Sequence, residues 1–243
     1  MKDIQFVFLL LALVAEVIGT VGGFGSSVFF VPIANFYFDF QTVLGITAVF
    51  HVVSNLSKIA LFKKGIDKTL ILYIGVPAVL FVIIGGIVSK FLKVTFLELF
   101  LGFFLVSLSL LFLIKKDLII KPHKKEAIIG GTLSGFVAGV VGTGGAIRGL
   151  TMAAFNLEKN VFIATSAIID FGVDLSRTIV YFFNGYIKED ILIYIPFLVG
   201  IGILGTYIGK LLLYKISQEN FKKISLGLIL IIGIVTIIKS ALD

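Results

Sequence analysis

The stretch Gly19-Thr20-Val21-Gly22-Gly23-Phe24-Gly25 decides the fold, because it interrupts an apolar run extending from Ile4 to Phe40. As one α-helix those 37 residues would reach about 55 Å at 1.5 Å per residue, against a hydrocarbon thickness of about 30 Å. The run must break, and glycine is where a backbone turns at least cost. The same problem recurs from Ile128 to Leu157, interrupted by Gly142-Thr143-Gly144-Gly145. Outward from these two breaks lie apolar runs at 5–21, 42–62, 70–92, 96–114, 128–142, 160–183, 190–213 and 221–239. Each is long enough to enter a bilayer as a helix, and their continuous apolar character differs from the alternation of a transmembrane β-strand. The expectation is an all-α integral membrane protein of about eight transmembrane helices.

Composition agrees. Of 243 residues, 58% are hydrophobic and 14% charged, with mean hydropathy +1.14. A soluble domain carries about 25% charged residues, so this chain has too little polar surface to clothe one. Disordered chains, nucleic-acid-binding modules and disulfide scaffolds are excluded on the same ground. The absence of cysteine removes thiol catalysis and cysteine-ligated zinc. His51 and His123 are too few for a histidine metal site, and no metalloprotease or phosphate-loop pattern is present. We therefore expect no metal, no cofactor and no enzyme. The net charge of +7 suits basic loops beside a membrane. With the amino terminus inside and eight crossings, eleven lysines fall inside and seven outside, a count that changes if the glycine breaks make re-entrant hairpins.

The chain is written twice. Gly19 to Gly25 aligns with Gly139 to Gly145 at an offset of 120, and Asn55-Leu56-Ser57-Lys58 aligns with Asp174-Leu175-Ser176-Arg177 at 119. Pro77 matches Pro196, and Gly85 with Lys90 matches Gly205 with Lys210. The organisation this implies is a first transmembrane repeat over 1–116, a basic linker over 117–126 and a second repeat over 127–243. Paired membrane halves with broken helices at corresponding places point to a secondary transporter. A helix restarting after such a break presents free N–H groups and a positive dipole end, which together attract an anion.

Charged side chains inside the apolar runs sharpen the site. Each costs about 2.5–3.5 kcal/mol at a helix centre, so each needs a reason. Asp170, Asp174 and Arg177 share one stripe of one helix, and His51, Asn55 and Lys58 form the equivalent stripe of the other half. Arg148 follows Gly144 and Gly145 by one turn, where a planar, permanently charged fork suits an oxyanion. Expected substrate-binding residues are Gly22, Gly23, Gly25, Ser26, Ser27, Asn55, Gly144, Gly145, Arg148, Asp174 and Arg177. His51 and Asp170 are the candidates for proton coupling. An internal ion pair between Asp174 and Arg177, or between Arg148 and Asp170 or Glu16, is the competing purely structural role.

At its glycine clusters the chain resembles the sulfite exporter TauE/SafE family, also called the toluene sulfonate uptake permeases. The resemblance rests on Gly19 to Gly25 leading through Val28-Phe29-Phe30-Val31 to Pro32, on Gly139 to Gly145, and on Ala164-Thr165-Ser166. Met152 stands where a second proline is expected. What the resemblance implies is a multi-pass transporter of sulfite, sulfonate or a related sulfur anion in the cytoplasmic membrane. Its partners would be the small anion, the lipid bilayer, protons as coupling ion and a second copy of the chain, with no nucleic acid. Alternating access is the expected mechanism and a passive anion channel the alternative.

Overall fold

A computed structural model describes residues 5–22, 25–62, 65–114, 121–213, 215 and 218–242. Among them there are ten helices and no strand. These are α1 (Phe6–Gly22), α2 (Ser27–Ala34), α3 (Phe40–Leu61), α4 (Lys68–Ser89) and α5 (Val94–Ile114), then α6 (Lys124–Val141), α7 (Gly145–Ala153), α8 (Lys159–Phe183), α9 (Glu189–Leu213) and α10 (Gln218–Leu242). The order of long and short helices in α1–α5 repeats in α6–α10. All eight apolar runs are helical, and two short helices, α2 and α7, follow the glycine breaks. The two long proline-bearing helices begin irregularly, α4 with a π-helical turn at Ile71–Gly75 and α9 with 3₁₀ turns at Glu189–Tyr194. Pro77 and Pro196 lie just beyond; a proline has no N–H and crowds the carbonyl four residues earlier, so the preceding turn rewinds.

The short helices fold back. Phe8 near the start of α1 meets Phe38 beyond α2 edge to face, with ring centroids 5.1 Å apart. At the other end, a Cβ on Gly19 would lie 2.3 Å from the Cα of Ser26. The second pair behaves alike: the Ser134 hydroxyl donates to the Gly144 carbonyl at 2.9 Å, and Gly130 abuts Thr151. So α1–α2 and α6–α7 are helical hairpins, and each returns to the face it entered from. The six remaining long helices, of 21–25 residues, are each about 30–38 Å long and reach from face to face.

Tracing the chain through these elements gives opposite orientations to the two halves. The hairpin α1–α2 enters from one face, here the first; α3, α4 and α5 then cross in turn, so α6–α7 enters from the second. Contacts at the ends agree. At the first face Asp39 pairs with Lys188 at 2.8 Å, and Asn35 donates to Glu98 at 2.9 Å. At the second, the Thr165 hydroxyl accepts from the Asp67 amide at 2.9 Å, and Lys210 donates to the Leu61 carbonyl at 2.8 Å. Helix α1 packs on α9 as α6 packs on α4, while α3 pairs with α8 and α5 with α10.

Lysines divide unevenly. Lys90, Lys93, Lys188 and Lys239 lie at the first face, and Lys68, Lys121, Lys124, Lys125, Lys159, Lys210 and Lys215 at the second. By sequence, the connections α3–α4 and α5–α6 carry four more, Lys63, Lys64, Lys115 and Lys116, outside the described residues. The eleven-to-seven count favouring an internal amino terminus is thereby overturned, because the hairpins remove two crossings.

Close packing between the halves depends on missing side chains. On α6, a Cβ on Gly135 would lie 2.1 Å from the Ala78 carbonyl oxygen, and one on Gly139 would lie 2.3 Å from that of Val82. Backbones approach at such small residues where lipid gives no hydrophobic drive to helix association. Helices α3, α4, α5 and α9 are long and apolar enough to cross a membrane. Helix α8 matches them in length but carries Asp170, Asp174 and Arg177.

Candidate functional site

The two hairpin tips come from opposite faces and meet inside the protein. Gly22 ends α1, and Gly25, at φ +79°, turns the chain into α2; Gly23 lies outside the described residues. Gly142, also at φ +79°, ends α6 in the left-handed region, which glycine occupies without a Cβ penalty. Gly144 and Gly145 then open α7. The tips touch through Ser27 Oγ and Thr143 Oγ1 at 3.2 Å, and the Gly25 Cβ position is 3.9 Å from Arg148 Nη2.

Helices α3 and α8 cross antiparallel beside the tips and supply most of the charge. Asn55 Nδ2 donates to Asp174 Oδ2 at 2.6 Å. Arg177 Nη1 donates to the Gly142 carbonyl at 2.5 Å, which ties α8 to the second tip. Arg177 Nε is 2.8 Å from Asp174 Oδ1, although its N–H does not point at that oxygen. Arg148 pairs with Asp170 and donates from Nε to Ser166 Oγ at 3.3 Å. The antiparallel crossing brings His51 beside Arg177, with Nδ1 3.5 Å from Nη2, and leaves Asp170 with Arg148 instead of His51.

A second cluster centres on Glu16 of α1, which is fully buried. Its Oε1 accepts from Lys58 Nζ at 2.6 Å, Ser54 Oγ at 2.5 Å, Thr206 Oγ1 at 3.1 Å and Thr20 Oγ1 at 3.2 Å. Its Oε2 accepts from Ser26 Oγ at 2.5 Å. Helices α1, α3 and α9 and the first hairpin tip are therefore fastened to one carboxylate.

These groups surround a polar cavity between Gly25, Ser26, Asn55, Gly144, Arg148 and Asp174. Its free volume is about 20 Å³, room for about one water. A sulfur oxyanion with three or more oxygens fits only if the walls part. A further small space, lined by Gly19, Lys58, Ile163, Ser166 and Asp170, continues toward the second face. Around the site three cations, Lys58, Arg148 and Arg177, each pair with a carboxylate: Glu16, Asp170 and Asp174 respectively. Paired charges of this kind lower the cost of burying each member. An entering anion adds charge to a site already balanced.

The structure gathers the expected residues Gly25, Ser26, Ser27, His51, Asn55, Gly144, Gly145, Arg148, Asp170, Asp174 and Arg177 around this one cavity. Gly22 ends α1 without lining it. Sequence reasoning noted Glu16 and Lys58 as charges within apolar runs but did not join them, because their bond links α1 to α3 over 42 positions. Ser54 and Thr206 carry no signal of their own, being ordinary hydroxyl residues in helices.

Residues 8–236 match the family model described as Sulfite exporter TauE/SafE. No curated protein and no solved structure matches the chain.

Proposed function

The chain belongs to the sulfite exporter TauE/SafE family, and on that premise we propose that it is a secondary transporter whose sulfur-containing anion binds between the two hairpin tips. Membership makes it a multi-pass membrane protein of a family that exports a sulfur anion. The observation that carries the finer reading is the meeting of two glycine-turned tips, from opposite faces, beside Arg148 and Arg177. Each tip starts a helix whose first N–H groups lack intrahelical acceptors, and each guanidinium presents a planar fork to an oxyanion. Ser26, Ser27 and Asn55 add short polar groups. The two halves, 1–116 and 127–243, are read as duplicated units of opposite orientation, and their relative movement would expose the site alternately to the two faces. By the excess of lysine, the second face is cytoplasmic, and the start of α1 and the end of α10 lie at the outer face.

Because the cavity charges are already balanced, the substrate charge is best offset by a proton taken up with it, with His51 and Asp170 as acceptors. A passive anion channel is the competing mechanism. Counterflow decides between them. Proteoliposomes preloaded with unlabelled sulfite should accumulate labelled sulfite transiently, as an alternating site requires; simple equilibration contradicts the carrier reading.

A further inference from the structure

We propose that Glu16, Ser26 and His51 form a proton-binding chain that anchors the start of α2 and holds the coupling proton, a deepening that rests on the transport reading above. The argument is a count of hydrogens. His51 Nδ1 lies 2.9 Å from the Thr47 carbonyl, Nε2 lies 2.7 Å from Ser26 Oγ, and Ser26 Oγ lies 2.5 Å from Glu16 Oε2. A carbonyl only accepts, so the Thr47 contact is a hydrogen bond only with a hydrogen on Nδ1. In the neutral ring Nε2 then accepts the single hydrogen of Ser26, and Ser26 can bond Glu16 only if the carboxyl is protonated. With Glu16 ionised, Ser26 donates to it, and Nε2 must carry a hydrogen as well. The other neutral tautomer keeps the Ser26–Glu16 bond and lets Nδ1 accept from Arg177 Nη2 at 3.5 Å, but it turns the same lone pair onto the Thr47 oxygen. All three contacts are hydrogen bonds only when the chain holds one proton beyond a neutral His51 and an ionised Glu16.

Binding that proton is a balanced step. It adds to His51 Nε2 while the Ser26 hydrogen turns from Nε2 to Glu16 Oε2; its loss reverses both and breaks one of the three links. The Lys58 ammonium and the hydroxyls of Ser54, Thr206 and Thr20 on Oε1 favour the ionised form of Glu16 and so place the proton on the ring. The charged groups facing His51 are Glu16 of α1 through Ser26, Arg177 and Asp174 of α8, and Lys58 of its own helix. Glu16 and Asp174 favour the imidazolium; Arg177 and Lys58 oppose it.

The position of Ser26 makes the proton consequential. It immediately precedes α2, and the next residue, Ser27, meets Thr143 of the opposing tip. Loss of a link therefore loosens one of the two tips between which the anion binds. The chain belongs to one half only: Glu16, Ser26 and His51 correspond in register to Phe136, Ala146 and Asp170.

The test uses the full chain in lipid with His123→Asn, which leaves His51 as the sole histidine. Nitrogen-15 NMR of the ring, with infrared spectra of the carboxylic-acid band, is followed between about pH 5 and 8. The expected result is a ring doubly protonated at the acid end and singly protonated at the alkaline end, with a midpoint that shifts in Ser26→Ala. Glu16→Gln offers an N–H to Ser26, so its ring should stay singly protonated throughout. If that variant does not fold, because Lys58 loses its partner, Ser26→Ala still decides. A pH-invariant, singly protonated ring together with no carboxylic-acid band for Glu16 overturns the proposal. Sulfite accumulation driven by a pH gradient separates the two levels of the account. Accumulation equal in wild type and Ser26→Ala overturns the chain and leaves the transport reading standing. No flux in wild type overturns the transport reading, and the ring titration still decides the chain.

Discussion

Asn55 and Asp174 are hydrogen-bonded to each other at 2.6 Å, although each holds the same register position in its own half of the chain. This bond ties α3 to α8 where the two helices cross antiparallel. Asn55→Leu leaves one oxygen of a buried carboxylate without its donor, a loss of about 1–3 kcal/mol. The expected outcome is a lower thermal midpoint in detergent, with helix content unchanged below the transition. An unaltered midpoint would show that the contact holds nothing together.

Gly142 is needed for its backbone. Alanine there must adopt φ +79°, and its Cβ would meet Leu44 Cδ2 at 2.8 Å. The left-handed conformation alone costs a residue with a Cβ about 1–2 kcal/mol. Relief by turning the peptide would move the carbonyl that Arg177 holds at 2.5 Å. Gly142→Ala should lower both the thermal midpoint and sulfite binding. Gly200→Ala, at an α9 position with nothing within 4 Å of the added Cβ, should be neutral or stabilising by about 0.5–1 kcal/mol.

Asp39 provides a pH-dependent contact at the first face, outside the membrane-spanning helices. Partial burial pushes its pKa up, but hydrogen bonds from Lys188 and from the Thr42 hydroxyl and amide outweigh this and hold it below the ordinary range. Since the folded value is the lower one, its contribution is full above the unfolded value of about 3.9. That contribution is lost as pH falls through the folded value. Its size is below about 1 kcal/mol, because both side chains of the pair are roughly half exposed. Thermal midpoints of Asp39→Asn should fall less between about pH 6 and pH 3 than those of wild type; equal slopes would remove Asp39 from the acid response.

Orientation is testable without background, since the chain has no cysteine. Lys93→Cys at the first face should react with an impermeant maleimide added to intact cells, and Lys121→Cys at the second should react only after permeabilisation. The reverse pattern would invert the assignment of the cytoplasmic face.

Much of this was legible in the sequence, for identifiable reasons. A 37-residue apolar run cannot remain one helix in a bilayer, so the breaks at Gly22–Gly25 and Gly142–Gly145 follow from length alone. The stripes His51/Asn55/Lys58 and Asp170/Asp174/Arg177 follow from helical period. Direction does not: hydropathy reads alike for a helix that crosses and one that turns back, and it took the Phe8–Phe38 contact to show that α2 returns. The ion pairs Arg148–Asp170 and Asp174–Arg177 were among the structural roles the sequence offered, but which residues meet across the two stripes was hidden. Register equivalence suggests His51 with Asp170, whereas antiparallel crossing joins His51 to Arg177 and Asp170 to Arg148. Glu16 was visible as a misplaced charge, but a hub whose donors come from α1, α2, α3 and α9 has no local sequence signature.

The central claim is that a sulfur oxyanion is carried at the meeting of the hairpin tips with Arg148 as a ligand. Arg148→Leu alone leaves Asp170 without its cation, a loss of about 3–5 kcal/mol for a buried pair, so Arg148→Leu with Asp170→Asn is the variant that separates binding from folding. The decisive measurement is uptake of labelled sulfite by proteoliposomes under an imposed pH gradient, wild type against this folded double variant. The account predicts accumulation above equilibrium in the wild type and its loss in the variant. Equal accumulation in both would contradict the placement of the anion at Arg148, and wild-type flux that never exceeds equilibrium would contradict coupled transport.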